Sequence, residues 1–175
     1  MTHFHDGVAC DVAHGAAPAA PDGRMLVAVF ATPVADYLLR YAADAGYRVV
    51  LVEPDAELAK KGIATGLEVH AGIGSLPDAA TDVVVTDHHR DELGVMLRDA
   101  LATSARWVGI MGSPRHEAPH VQALALLGVA PDEVARVHRP IGLNIGSRTP
   151  AEIAIATLAG LIADRNGRPG GFGFA

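Results

Sequence analysis

From Met25 onward the chain alternates short apolar runs with segments whose apolar residues recur at helical spacing. Met25–Ala31 (MLVAVFA) is a continuous apolar run of strand length, the pattern of a strand buried on both faces. It stops at Thr32-Pro33, and Val34, Leu38, Tyr41, Ala42 and Ala45 then fall on one helical stripe that ends at Gly46. Arg48–Val52 (RVVLV) is a second apolar strand, closed by Glu53-Pro54-Asp55, so one strand–helix–strand unit is complete within about thirty residues. Asp82–Thr86 and Arg106–Met111 read as two further interior strands. Helices are predicted over Asp91–Thr103, Glu117–Leu127 and Pro150–Arg165. Between Glu57 and Thr81 the pattern is weak, with one short helix and a short strand near Leu67–His70.

Strands alternating with helices predict an α/β fold with a doubly wound, mostly parallel, Rossmann-like sheet. The first 24 residues have no periodicity and read as a tail, 25–168 as one domain and 169–175 as a short C-terminal tail. The first tail carries His3, His5, Cys10 and His14 at a spacing that matches no closed metal site. Asp78, Asp82 and the carboxylates between Asp91 and Asp99 are expected on turns or on a solvated helix face.

Composition narrows the function classes. At 14 Lys+Arg against 20 Asp+Glu the net charge is -6, so no basic field is available for nucleic acid or an anionic membrane. No apolar run reaches the roughly 20 residues a membrane span requires. A single cysteine, Cys10, rules out an internal disulfide and fits a reducing compartment, so the expectation is a cytoplasmic protein.

Ligands of such sheets sit beyond the carboxyl ends of the strands, where helix starts present unpaired N–H groups. Thr32-Pro33, Ser113-Pro114 and Thr149-Pro150 are three helix starts with a capping hydroxyl and proline at the first position, and Thr149–Glu152 is also a capping box. Gly109, Gly112, Ser113 and Arg115 place two glycines at a strand end and a guanidinium in the following turn. Gly142, Asn144, Gly146, Arg148 and Thr149 belong to a loop too apolar for a linker and too rich in glycine for a strand. Phe30–Ala35 contains none of the glycines of a dinucleotide turn, although Glu53 stands where an acid normally binds a ribose hydroxyl. Asp87 and His88, in the run Thr86-Asp-His-His-Arg-Asp91, are candidates for contacts to a heterocycle. His88 and His89 are expected to diverge, so the pair does not chelate one ion.

Gly109-Ile-Met-Gly112-Ser113 and the long motif Pro140-Ile-Gly142-Leu-Asn144-Ile-Gly146-Ser147-Arg148-Thr149-Pro150-Ala-Glu152-Ile-Ala154 resemble the C-terminal Rossmann-like domain of the XdhC/CoxI family, over roughly Met25 to Arg168. The resemblance implies binding and protection of the molybdenum cofactor, as molybdopterin or its cytosine dinucleotide form. It also implies delivery, after sulfuration by a cysteine desulfurase, to the apo-enzyme of a xanthine dehydrogenase-like or CO dehydrogenase-like molybdenum hydroxylase. Full-length relatives usually carry an additional N-terminal domain, expected here as a separate partner. A homodimer is one way to cover the apolar surface on which that domain would pack.

The first loop of the family tends to be rich in glycine, and its Thr-His after the middle strand stands here as Thr86-Asp87 with His88 one place later. Three readings follow. One is an accessory cofactor-binding factor rather than an enzyme. The second is an NAD(P)-dependent oxidoreductase with His88 or His89 as acid/base. The third is a scaffold subunit without a ligand. The first predicts that Arg115→Ala and Gly142→Val weaken ligand binding and leave the fold soluble.

Overall fold

The computed structural model describes residues 12–14, 23–113 and 118–171. His3, His5, Cys10 and Arg115, and with them the Ser113-Pro114 helix start beyond Ser113, lie outside the described residues. Six parallel strands, β1 (Met25–Val29), β2 (Arg48–Val52), β3 (Glu68–His70), β4 (Thr81–Val85), β5 (Trp107–Ile110) and β6 (Val137–His138), form one sheet in the order β3-β2-β1-β4-β5-β6. Among the described residues the helices are α1 (Pro33–Asp44), α2 (Ala56–Ala64), α3 (Leu93–Leu101), α4 (Pro119–Leu126), α5 (Pro131–Val134) and α6 (Pro150–Arg165).

The sheet divides the core in two. Alternate side chains of a strand point to opposite faces, so Leu26 and Ala28 pack with Leu51 and Val84 under Leu38, Leu39 and Ala42 of α1 and Leu158 and Leu161 of α6. Val27 and Val29 join Val50, Val83, Val85 and Ile110 on the other face, beneath Leu97 and Ala100 of α3 and Leu124 of α4. With both faces covered, every residue of β1 and β4 is buried. Each fully buried leucine contributes about 1.5–3 kcal/mol relative to exposure. Helix α2 lies over β2 and β3 by way of Gly62, where a Cβ would stand 2.9 Å from Leu51 Cδ2 and 3.1 Å from Val69 Cγ2.

Two elements have no counterpart in the sequence pattern, α5 and β6. A four-residue helix and a two-residue strand are both too short to set up a period. The expected position of Asp82 is corrected as well. It is buried, on β4, where Oδ1 accepts from Arg106 Nε at 2.7 Å and Oδ2 from Arg165 Nε at 2.9 Å. Arg106 Nη1 also reaches Asp164 Oδ2 at 2.6 Å, and Arg165 donates to the Ala80 carbonyl. The carboxylate thus joins the starts of β4 and β5 to the last turn of α6. Alanine at this position removes the carboxylate that Arg165 and Arg106 share and leaves Arg106 with Asp164 alone. Asp82→Ala is expected to lower stability by about 3 kcal/mol, read as a drop in the urea midpoint at unchanged slope.

Candidate functional site

The strand order reverses direction between β1 and β4, and the crevice beyond their carboxyl ends is where this architecture receives ligands. On its β1 side the protein's own groups take up the polar positions, and a crevice of about 150 Å³ remains beside Thr32, Pro33 and Gly62. Phe30, directly after β1, is fully buried and has φ 75, a left-handed conformation that glycine normally supplies in such turns. Thr32 caps α1, its hydroxyl accepting from Ala35 N at 3.1 Å and donating to the Thr86 hydroxyl at 3.0 Å. Thr86 Oγ1 lies 3.0 Å from the Val29 carbonyl and 2.9 Å from that of Phe30, so its single proton returns to the end of β1. Two hydroxyls therefore bridge the switch point.

Glu53, the acid at the end of β2, is 1% exposed and saturated from within. Oε2 accepts from Ala31 N at 2.7 Å and from Arg90 Nη1 at 3.2 Å, and Oε1 accepts from Asp55 N at 2.9 Å and from Arg90 Nη2 at 3.0 Å. Arg90 then lies over the Phe30 ring, 4.7 Å from its centroid. Four donors occupy the carboxylate that a ribose hydroxyl would otherwise engage.

The open part of the crevice lies on the other side of β4. A cleft of about 860 Å³ is bounded by Thr86, Asp87, His88 and His89 after β4, by Met111, Gly112 and Ser113 after β5, by Pro140 to Ser147, and by Ile153 and Thr157 of α6. Of the residues singled out in the sequence, it brings together Asp87, His88, Gly112, Ser113, Gly142, Asn144 and Gly146. It leaves Gly109, Arg148 and Thr149 outside. Burial holds the His88 ring below the ordinary imidazole pKa of 6.5, and the neighbouring His89 and Arg139 add to this, against the pull of Asp87 and the Met111 backbone. This favours the neutral ring. The expected divergence of the two histidines does not occur. Asp87 Oδ1 accepts from His89 N at 2.9 Å, which curls the segment and brings the rings to 4.1 Å between centroids.

Several of the glycines have packing reasons. A Cβ on Gly109 would sit 2.2 Å from the Trp107 ring, which lies across β5 and stacks on His138 at 4.9 Å. Gly142, at φ 85, rests on α6, where a Cβ would meet the Ala156 carbonyl carbon and Thr157 N at 3.0 Å, and Leu143 N donates to the Ala156 carbonyl at 3.0 Å. Gly160 presents its own bare Cα to Gly142 from the helix side. Gly112 makes room for a guanidinium, but that of Arg139, whose Nε would stand 2.8 Å from a Cβ there and whose Nη2 donates to the Ser113 carbonyl at 2.8 Å. Sequence reading missed Arg139. The available signal was its place directly before the Pro140 motif, joined to it by a cis peptide bond. At the start of α6, Glu152 Oε2 accepts from Arg148 N at 2.6 Å and Thr149 N at 3.1 Å, while Thr149 Oγ1 accepts from Glu152 N at 3.3 Å. The donors at that helix start serve its own capping box.

Two outcomes follow. Gly142→Val drives side-chain atoms into the α6 backbone from a left-handed position. It is expected to cost about 2–4 kcal/mol of stability in chemical denaturation, so the variant reports on the fold and is unsuited to testing a ligand contact. Glu152, fully exposed, is held below its ordinary pKa of 4.5 by the backbone donors of Arg148 and Thr149. Its stabilising contribution is present above pH 4.5 and is lost as pH falls through the lowered value. The stability gap between wild type and Glu152→Ala should be widest near pH 7 and narrow as the pH falls below 4.5.

Comparison with known proteins agrees with this architecture. A chain described as a xanthine dehydrogenase from Bacillus halodurans, solved by crystallography, superposes with a TM-score of 0.67 at 22% identity, over 83% of this chain and 45% of that one. At that identity the likeness concerns the fold. The uncharacterized protein YqeB of Escherichia coli K12 is 35% identical over 95 residues, 54% of this chain and 17% of YqeB. The chain thus spans less than half the length of either relative. The family model for the XdhC Rossmann domain matches residues 26–161, which contain both glycine motifs, and by that match the chain belongs to the XdhC family as its Rossmann domain.

Proposed function

We propose that this domain is the cofactor-holding part of an accessory factor for a xanthine dehydrogenase-like or CO dehydrogenase-like molybdenum hydroxylase. Its ligand in this reading is the molybdenum cofactor, as molybdopterin or the cytosine dinucleotide form. The observation that carries the reading is the position of the open cleft. Beside the β1 turn Glu53 is taken up by Arg90, which lies over Phe30, and the crevice there holds about 150 Å³, while about 860 Å³ lies open between β4, β5 and the 140–147 loop, within the range of small-molecule sites.

The residues present suit a pterin phosphate. Asp87 and Asn144 offer polar edges to a heterocycle, Ile153 and the apolar residues of the loop cover its face, and the backbone of Gly112 and Ser113, behind which the Arg139 guanidinium lies, borders the cleft. When bound, the cofactor supplies the metal centre that the target hydroxylase uses. The chain's own residues bind, orient and shield it, and none is assigned a turnover step. A cysteine desulfurase and an XdhC N-terminal-type domain are the further partners this role calls for, in the cytoplasm. No helix among the described residues is long and apolar enough to cross a membrane.

Thermal unfolding with anaerobically prepared molybdopterin, its cytosine dinucleotide form, NAD+ and NADPH tests the reading. A ligand at 100 times its Kd adds about 2.7 kcal/mol, a rise of several degrees for a domain of this size. Stabilisation by a pterin form and by neither nicotinamide is expected. A rise with NAD+ or NADPH alone overturns the reading in favour of an oxidoreductase, and no rise with any of the four leaves a scaffold subunit.

A further inference from the structure

Helix α6 meets the 140–147 loop along one stripe, Ile153, Ala156, Thr157 and Gly160, at the three- and four-residue spacing that shares a helix face. Ile153, Ala156 and Thr157 border the 860 Å³ cleft. Thr157 and Gly160 border a smaller hollow of about 240 Å³ on the far side of the loop, near Trp107. A helical side chain leans toward the N-terminus of its own helix, so that of Thr157 leans toward Ile153 and the cleft, away from Gly160. It sets a hydroxyl into a lining that is otherwise apolar on this side, made by Val34, Met111, Ile141, Leu143 and Ile153.

The other buried threonines are answered from within. Thr86 Oγ1 lies 3.0 Å from the Val29 carbonyl and 2.9 Å from that of Phe30. Thr81 Oγ1 donates to Asp78 Oδ1 at 2.7 Å and accepts from Asp78 N at 3.0 Å. Thr157 is 2% exposed, and among the described residues its hydroxyl has no hydrogen-bond partner. A buried hydroxyl left without a partner weakens a fold, and an aliphatic side chain of the same size would serve the packing better. A residue that stability alone would not choose, placed at a ligand-sized cleft, has its use in what the cleft receives.

We infer that the Thr157 hydroxyl is the contact by which the cleft recognises the hydrogen-bonding edge of its ligand's heterocycle. This rests on the reading of the cleft as a cofactor site and names the residue that selects for the ring. A hydroxyl both donates and accepts, so it answers a ring carbonyl, a ring nitrogen or an amino group. The apolar residues around it take the face of the ring. Among the described residues no lysine or arginine borders the cleft, which sets this contact apart from one made to a phosphate.

The test uses the full chain and compares wild type with Thr157→Val, which keeps the shape and loses the hydroxyl, and with Thr157→Ser, which keeps the hydroxyl. Without ligand, Thr157→Val is expected to keep or raise the urea midpoint at unchanged slope. A lowered midpoint shows that the hydroxyl serves the fold and overturns the inference. Calorimetric titrations use anaerobically prepared molybdopterin, its cytosine dinucleotide form, and 2-amino-4-oxopteridine as the ring without a phosphate. Thr157→Val is expected to raise each Kd about tenfold, and Thr157→Ser to stay within about threefold of wild type. Equal molybdopterin affinity of wild type and Thr157→Val removes the role of Thr157 and leaves the cofactor reading standing. Weakened molybdopterin binding, with the ring alone held equally by both proteins, moves the contact to the phosphate and overturns the ring assignment. No binding of any of the three compounds by wild type overturns the cofactor reading, and the ring assignment with it.

Discussion

A carboxylate buried at the end of an interior strand has to be met by donors, and the way Glu53 is met decides where this molecule can receive a ligand. Its two oxygens take Ala31 N, Asp55 N and both terminal nitrogens of Arg90. These contacts fix the path of the chain after β1 and after β2. They also draw Arg90 across from the segment that follows β4 and lay it on the Phe30 ring. The left half of the carboxyl edge keeps a crevice of about 150 Å³ beside Thr32, Pro33 and Gly62, and the larger open volume, about 860 Å³, lies on the right half, beside β4 and β5.

On that right half the decisive element is α6. Its last turn is anchored by Arg165 and Asp164 to the Asp82 cluster at the opposite edge of the sheet, and its first turn is closed by the Thr149–Glu152 capping box. A helix held at both ends is a firm bed for the loop before it. Gly142 and Gly160 let loop backbone and helix backbone touch with no side chain between them. The cleft wall takes its shape from that contact.

Most of the architecture was legible because a parallel sheet covered on both faces leaves near-continuous apolar runs. Met25–Ala31 and Arg48–Val52 could hardly be read otherwise. What escaped was either too short to show a period, as with Val137–His138, or depended on contacts distant in sequence. Nothing local to Asp82 announces that Arg106 and Arg165 will neutralise it, 24 and 83 residues further on. The candidate site was legible as a neighbourhood, since both glycine motifs and Asp87-His88 converge on one cleft. It was less legible residue by residue. Gly109 accommodates an indole, Gly142 accommodates a helix, and Thr149 serves its own helix start. The cation at Gly112 comes from Arg139, directly after a strand the pattern did not reveal.

Phe30 carries a consequence for how such chains are recognised. It follows the backbone path that glycine takes in dinucleotide turns, at φ 75, with its ring buried in the core and the Arg90 guanidinium over it. Two proteins can therefore share the trace of this turn while only one retains its glycine signature. A search keyed to that signature passes over chains of this kind, and a classifier keyed to shape alone does not see the difference.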